Sequence, residues 1–179
     1  MNTLKDIKKS LSEERPAAWD TLPDIDLYMD QVLSYMSRQL LSARPESNIT
    51  ASMVNNYIRN GIMPRSNGKK YSREHIAKLT AICIMKQVLS VGDISVLFSQ
   101  LPSNNIHNVY DKYREILDSE LTKVTESVPD NNNNQTLADA IVRFAITSYA
   151  NKVAAEHIVD MIKEHMGEEK PKELQKTKQ

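Results

Sequence analysis

Glycine occurs four times in this chain, at positions 61, 68, 92 and 167. Tight hairpin turns draw heavily on glycine, and between these positions the apolar residues recur mostly at intervals of three and four. Scarce turn chemistry and helical spacing together predict a mainly all-α fold. With 179 residues, 40% of them apolar, the chain has material for one ordinary domain or two small ones. Cys83 is the single cysteine, so an intrachain disulfide is excluded and a reducing compartment fits best. The start, "MNTLKDIKKSLSEERP", lacks the apolar core of a signal peptide, and no run approaches the roughly 18 apolar residues of a membrane span. The expected location is the cytoplasm, with no membrane partner.

Six helices are legible. In "LPDIDLYMDQVLSYMSRQLL" the apolar positions Leu27, Val32, Leu33, Met36, Leu40 and Leu41 predict a first helix, with Asp24 or Asp26 able to cap it and Pro45 beyond its end. Thr50 can cap a short helix running to Asn60, with Gly61 just past its end. Ser72 then opens "REHIAKLTAICIMKQVL", whose broad apolar arc through Ile76, Leu79, Ile82 and Cys83 predicts a buried scaffold helix. Ser90 and Asp93 stand in capping-box spacing ahead of Ile94, Leu97, Phe98 and Leu101. Pro102 closes that unit. A helix from "NIHNVYDKYREILDSELTKV" follows, then the polar link "PDNNNNQ" and a long helix from Thr136 to about Met166. The last helix carries more apolar surface than water tolerates, so it needs a partner.

Charge is unevenly spread. The chain holds 23 basic and 23 acidic side chains, yet residues 49 to 80 carry six basic ones against a single acid, Glu74, a net +5. Residues 1 to 48 carry six basic and eight acidic side chains, and residues 102 to 130 three and six. The island coincides with the most polar helix face. On the 50–60 helix Met53, Val54, Tyr57 and Ile58 form an apolar stripe, and Ser52, Asn55, Asn56 and Arg59 fall on the opposite side. Asn pairs with an adenine edge and Arg with a guanine edge through two hydrogen bonds each, whereas a merely solvated face more often carries Glu and Lys. The stretch "MPRSNGKKYS" adds a turn signal, Asn67-Gly68, between Arg65 and the run Lys69, Lys70, Tyr71, and predicts a small basic β-hairpin. Its cations suit DNA phosphates, which position a protein without reading sequence.

The order of parts in residues 49 to 98 resembles the DNA-binding head of MerR-type winged helix-turn-helix regulators. "YIRNGIMP" supplies Tyr57, Gly61, Ile62, Met63 and Pro64 at the family's spacing, and "SNGKKYSREHIAKL" and "LSVGDISVLF" are similar to shortened forms of its wing and following helices. The wing is about one residue short, and Asn55 and Asn56 stand where the family usually has Arg and Tyr, so roles transfer but base preference does not. Residues 22 to 101 also resemble an uncharacterised bacterial family, domain of unknown function 1836, common in Gram-positive bacteria and described as MerR-like. These resemblances imply a winged helix-turn-helix domain over 21–101, behind an N-terminal extension (1–20). A helical dimerisation or effector region (102–166) and a disordered tail (167–179) would follow. They also imply base contacts from Ser52, Asn55, Asn56 and Arg59, and backbone contacts from Thr50, Arg65, Lys69, Lys70, Tyr71 and Arg73. The expected partners are double-stranded DNA, a second copy of the chain and an effector of unidentified chemistry.

Enzymatic signatures are missing. The nearest phosphate-loop candidate, Gly61 to Gly68-Lys69-Lys70, has six intervening residues instead of four and Lys where a metal-binding hydroxyl belongs. His157, Asp160 and Glu164 share one helix face with His165 just beyond, but no second motif completes a metal shell, and Cys83 on its apolar face reads as a core thiol. His75 and His107 are likewise expected to be unpartnered, and four histidines in all assemble no nucleophile, base and orienting group. A non-enzymatic protein without cofactor or metal is expected. The competing reading is an all-helical protein-interaction adaptor whose winged head survives as scaffold.

Overall fold

The structure is a computed structural model describing residues 3–13, 15–39, 49–102 and 105–168. Seven α-helices and one small sheet account for the regular structure among them. They are α1 (Leu4–Glu13), β1 (Leu27–Tyr28), α2 (Met29–Gln39), α3 (Ala51–Arg59) and β2 (Lys70–Tyr71). There follow α4 (Arg73–Met85), α5 (Val91–Gln100), α6 (Ile106–Ser127) and α7 (Asn134–Glu168), and a single 3-10 turn, Trp19–Thr21, precedes β1. The mainly helical expectation holds.

The centre is α4. His75, Ile76, Ala77, Leu79, Thr80, Ala81, Ile82 and Cys83 are all buried, as its broad apolar arc requires. Around it gather Val32 and Met36 of α2, Val54 and Tyr57 of α3, Ile94 of α5 and Tyr110 of α6 in one core. Each fully buried side chain of this size contributes about 1.5–3 kcal/mol. The one polar side chain at the heart of it, Thr80, is satisfied by donating to the Ile76 carbonyl at 2.9 Å. Cys83 is a core thiol, pushed up to about 11 by burial.

The predicted first helix begins later than its apolar pattern implies. Leu27 and Tyr28 are extended and pair antiparallel with Tyr71 and Lys70, and the helix starts only at Met29. Neither Asp24 nor Asp26 caps it. Gln31 reaches back instead, its Oε1 accepting the Tyr28 N–H at 2.9 Å, which is half of a capping box. Backbone partners 42 and 44 residues away outcompeted local helical spacing. Leu40 and Leu41 lie outside the described residues, as does all of the predicted tail except Gly167 and Glu168, which still belong to α7.

The N-terminal stretch forms a helix, α1, that packs on α6. Arg15 Nε bonds Asp118 at 2.6 Å, Lys8 pairs with Asp130, and the Tyr110 hydroxyl donates to the Ala17 carbonyl at 2.9 Å. Trp19 stacks on His107 with ring centroids 4.7 Å apart. These ties bind residues 8–19 to α6 and the turn that follows it.

Helix α7 meets the rest of the molecule mainly through α5. Lys163 Nζ donates to Asp93 Oδ1 at 2.8 Å, so the residue that caps α5 also holds α7. Hydrogen bonds from Lys163 and Ser90 keep the Asp93 carboxyl below its ordinary range. A depressed carboxyl stabilises the docked state above its unfolded pKa of about 3.9 and loses that contribution as pH falls through the lower folded value. We therefore expect protection factors of the backbone amides of residues 155–163, taken against the intrinsic exchange rate at each pH, to be lower below about pH 3.9 than at neutral pH. Asp93→Asn should show that lower protection already at neutral pH, and identical protection in the variant would remove this tie.

Candidate nucleic-acid interface

The short helix of the basic island forms as its sequence dictates. Thr50 Oγ1 accepts the Met53 N–H at 3.3 Å, capping α3, and Val54 and Tyr57 are buried with Met53 and Ile58 at their flanks. At the other end Gly61 adopts φ +71°, and the N–H groups of Gly61 and Ile62 bond the carbonyls of Ile58 and Tyr57. That is a Schellman end, closed by the buried Ile62 side chain.

On the opposite face Ser52, Asn55 and Arg59 are exposed and Asn56 is half-buried. Asn56 Oδ1 already accepts from Asn60 Nδ2 at 3.1 Å, so Asn55 and Arg59 are the freer pair. Ser52, Asn56 and Arg59 also line an open groove of about 500 Å³ with Lys86, Ser90 and Val91, where α4 turns into α5. Lys86 went unrecognised in the sequence because it reads there as the end of a core helix; only the chain reversal at 86–90 brings it beside α3.

The wing differs from the predicted hairpin. Asn67 and Lys70 exchange both backbone bonds, at 2.9 and 3.0 Å, around Gly68 (φ +55°) and Lys69 (φ +67°), which is a type I′ turn centred one residue later than Asn67-Gly68. Apart from that bridge, Lys70 and Tyr71 pair with β1 and not with a second wing strand. Ser72 already begins α4, leaving two residues for the strand. His75 secures the arrangement: its Nδ1 accepts the Ser72 N–H at 3.1 Å, its Nε2 lies 3.4 Å from the Arg65 carbonyl, and its ring meets Tyr71 edge-on at 5.6 Å. Neither His75 nor His107 is unpartnered, contrary to expectation, since His107 also pairs with Asp111 at 3.1 Å.

The predicted backbone-contact residues divide accordingly. Arg65 and Lys69 are exposed, while Lys70 is half-buried with its ammonium 5.2 Å from the Tyr28 ring centroid. Thr50 is exposed, its hydroxyl engaged as a cap. Tyr71 is 4% exposed and faces the core. Arg73 is half-buried, its Nε donating to the Pro23 carbonyl at 3.4 Å and its guanidinium 6.0 Å from the Trp19 ring centroid, so it serves the scaffold. The described residues contain no cluster of three metal-ligating side chains and no helix long and apolar enough to cross a membrane.

The family model for domain of unknown function DUF1836 matches residues 17–116, more than half of the chain. The chain belongs to the DUF1836 family. No curated protein and no solved structure matches it. The DUF1836 match takes in the core around α4, α3 with its polar face, the wing turn and the first half of α6, and stops before α7.

Gly61→Ala tests the seating of α3 without disturbing its polar face. A Cβ there meets nothing within 4 Å, so the whole effect is the left-handed backbone, expected to cost about 1–2 kcal/mol in urea unfolding. A neutral substitution would mean that the helix end relaxes into another conformation.

Proposed function

We propose that this protein is a DNA-binding transcriptional regulator with a MerR-like winged helix-turn-helix head. In this reading α3 enters the major groove and the 65–70 turn rests on phosphates. The observation that carries it is the exposed Ser52, Asn55 and Arg59 face of α3, flanked by Lys86 across the groove and followed closely in the chain by Arg65 and Lys69. No acidic side chain lines that groove. A helix face rich in Asn and Arg, bordered by cations, supplies base-edge donors and phosphate contacts together.

A symmetric pair of such heads on two half-sites would supply specificity that one small head lacks. Support for a second copy comes from α7. Ile141, Val142, Ile146 and Tyr149 are 61–68% exposed, and from 141 to 152 only Phe144 is even half-buried. Twelve residues of nearly bare helix are marginal in water, because helical stability comes mainly from packing. We expect full-length protein to sediment as a dimer and Val142→Asp/Ile146→Asp to sediment as a monomer with an unchanged circular dichroism spectrum. A monomeric parent would sink this part of the proposal. These substitutions are preferable to truncation at residue 103, which would strip Ile106 and Tyr110 from the core.

The DNA reading is tested by selecting sites from randomised duplexes. On a selected site Asn55→Ala or Arg59→Ala should cost about 1–3 kcal/mol and much less on random DNA. Arg65→Ala, Lys69→Ala and Lys86→Ala should each weaken binding to any sequence and flatten the salt slope by about one unit or less. Absence of both enrichment and salt-sensitive binding would favour the protein-interaction adaptor.

A further inference from the structure

A second cleft lies on the other side of α4, where α5 ends and α6 begins. Its floor is Ala77 and Ala81, one turn apart and without bulk, and Phe98, Leu101, Ile106 and Val109 wall it. The cleft is partly open, and the space within it that admits a water is about 40 Å³. One water needs about 10–15 Å³ by this measure, so the hollow seats roughly three or four heavy atoms, far fewer than a drug-sized ligand has.

A single charged residue lines this cleft. Lys78 is the only side chain between His75 and Cys83 that is not buried, and its ammonium sits 5.7 Å from the Phe98 ring centroid. It makes no ion pair among the described residues, and burial lowers its pKa despite the field of Glu74. Tyr113, which also lines the cleft, has a hydroxyl shielded from solvent and without a hydrogen-bond partner among the described residues.

We propose that this cleft binds a short aliphatic carboxylate, its hydrocarbon end in the Ala77/Ala81 hollow and its carboxylate on Lys78. A half-buried unpaired ammonium is costly, and an anion supplies the missing partner. A bare inorganic anion would leave the apolar hollow unfilled, and a neutral molecule would leave Lys78 unpaired. The hollow's size limits the apolar end to about an isobutyl group. Binding here is independent of whether DNA is the partner at α3.

The test is a nitrogen–proton NMR titration of the full chain without DNA, using isovalerate and its uncharged analogue isovaleramide at constant ionic strength. The indole of Trp19 is a convenient reporter, since its ring lies 6.2 Å from that of Tyr110, another lining residue. For so small a ligand the expected Kd is on the order of 1 mM, with saturable shifts at Ala77, Ala81, Val109 and Trp19. Isovaleramide, and isovalerate with Lys78→Met, should bind about tenfold more weakly. Ala81→Leu, which fills the hollow and leaves the cation, should abolish the shifts, and the same spectra report whether each variant is folded. No saturable shift up to about 100 mM, or equal affinity for the two probes, would overturn the proposal.

Discussion

The burial of α4 on nearly every side is the constraint on which the remaining architecture depends. Between His75 and Cys83 eight of nine side chains are buried, so the helix must be surrounded by α2, α3, α5 and α6 before its own apolar surface leaves water. That requirement draws together segments far apart in the chain and leaves Lys78 as the one point on this stretch where α4 shows a charge. The core is correspondingly intolerant of polar groups, and the single one near its centre, Thr80, spends its hydroxyl on its own helix.

The same helix organises the candidate interface. Its first turn carries His75, which receives the Ser72 amide and reaches the Arg65 carbonyl, so the wing turn is fastened at both ends to a rigid element. Its last turn delivers Lys86 to the groove beside α3. The polar and cationic side chains of the candidate interface are thus mounted on a buried scaffold, an arrangement that would hold them in register for a ligand. Tyr71 and Arg73 show the other use of island residues: they hold the wing's exit against Trp19, Pro23 and His75.

Helix α7 obeys different physics. It is tied near its end by Lys163 and Asp93 and by the buried Val159, while residues 141 to 152 project almost bare. The family match ends at residue 116, before this helix begins. The residues that the family model matches and the long projecting helix are therefore distinct parts in packing as well as in sequence likeness.

Helix periodicity, caps and the glycine beyond α3 were local, and so they were legible: Thr50, Ser72 and Ser90 all sit at helix starts, and Gly61 adopts the left-handed conformation expected of it. The polar face of α3 and the core position of Cys83 follow from 3.6-residue spacing alone. What residue spacing could not convey was pairing at a distance. Leu27 and Tyr28 read as helix because their alternative, a two-residue ladder with Lys70 and Tyr71, depends on a strand that exists only once Ser72 has begun α4. Lys86, His75 and Lys78 were inconspicuous for the same reason, since each takes its meaning from a neighbour supplied by another element. By itself the sequence determined the helices from α2 onward, their apolar faces and the basic island; tertiary structure decided which island residues face solvent. Short-range hydrogen bonds and apolar stripes are set within a few residues, whereas exposure depends on what packs from elsewhere.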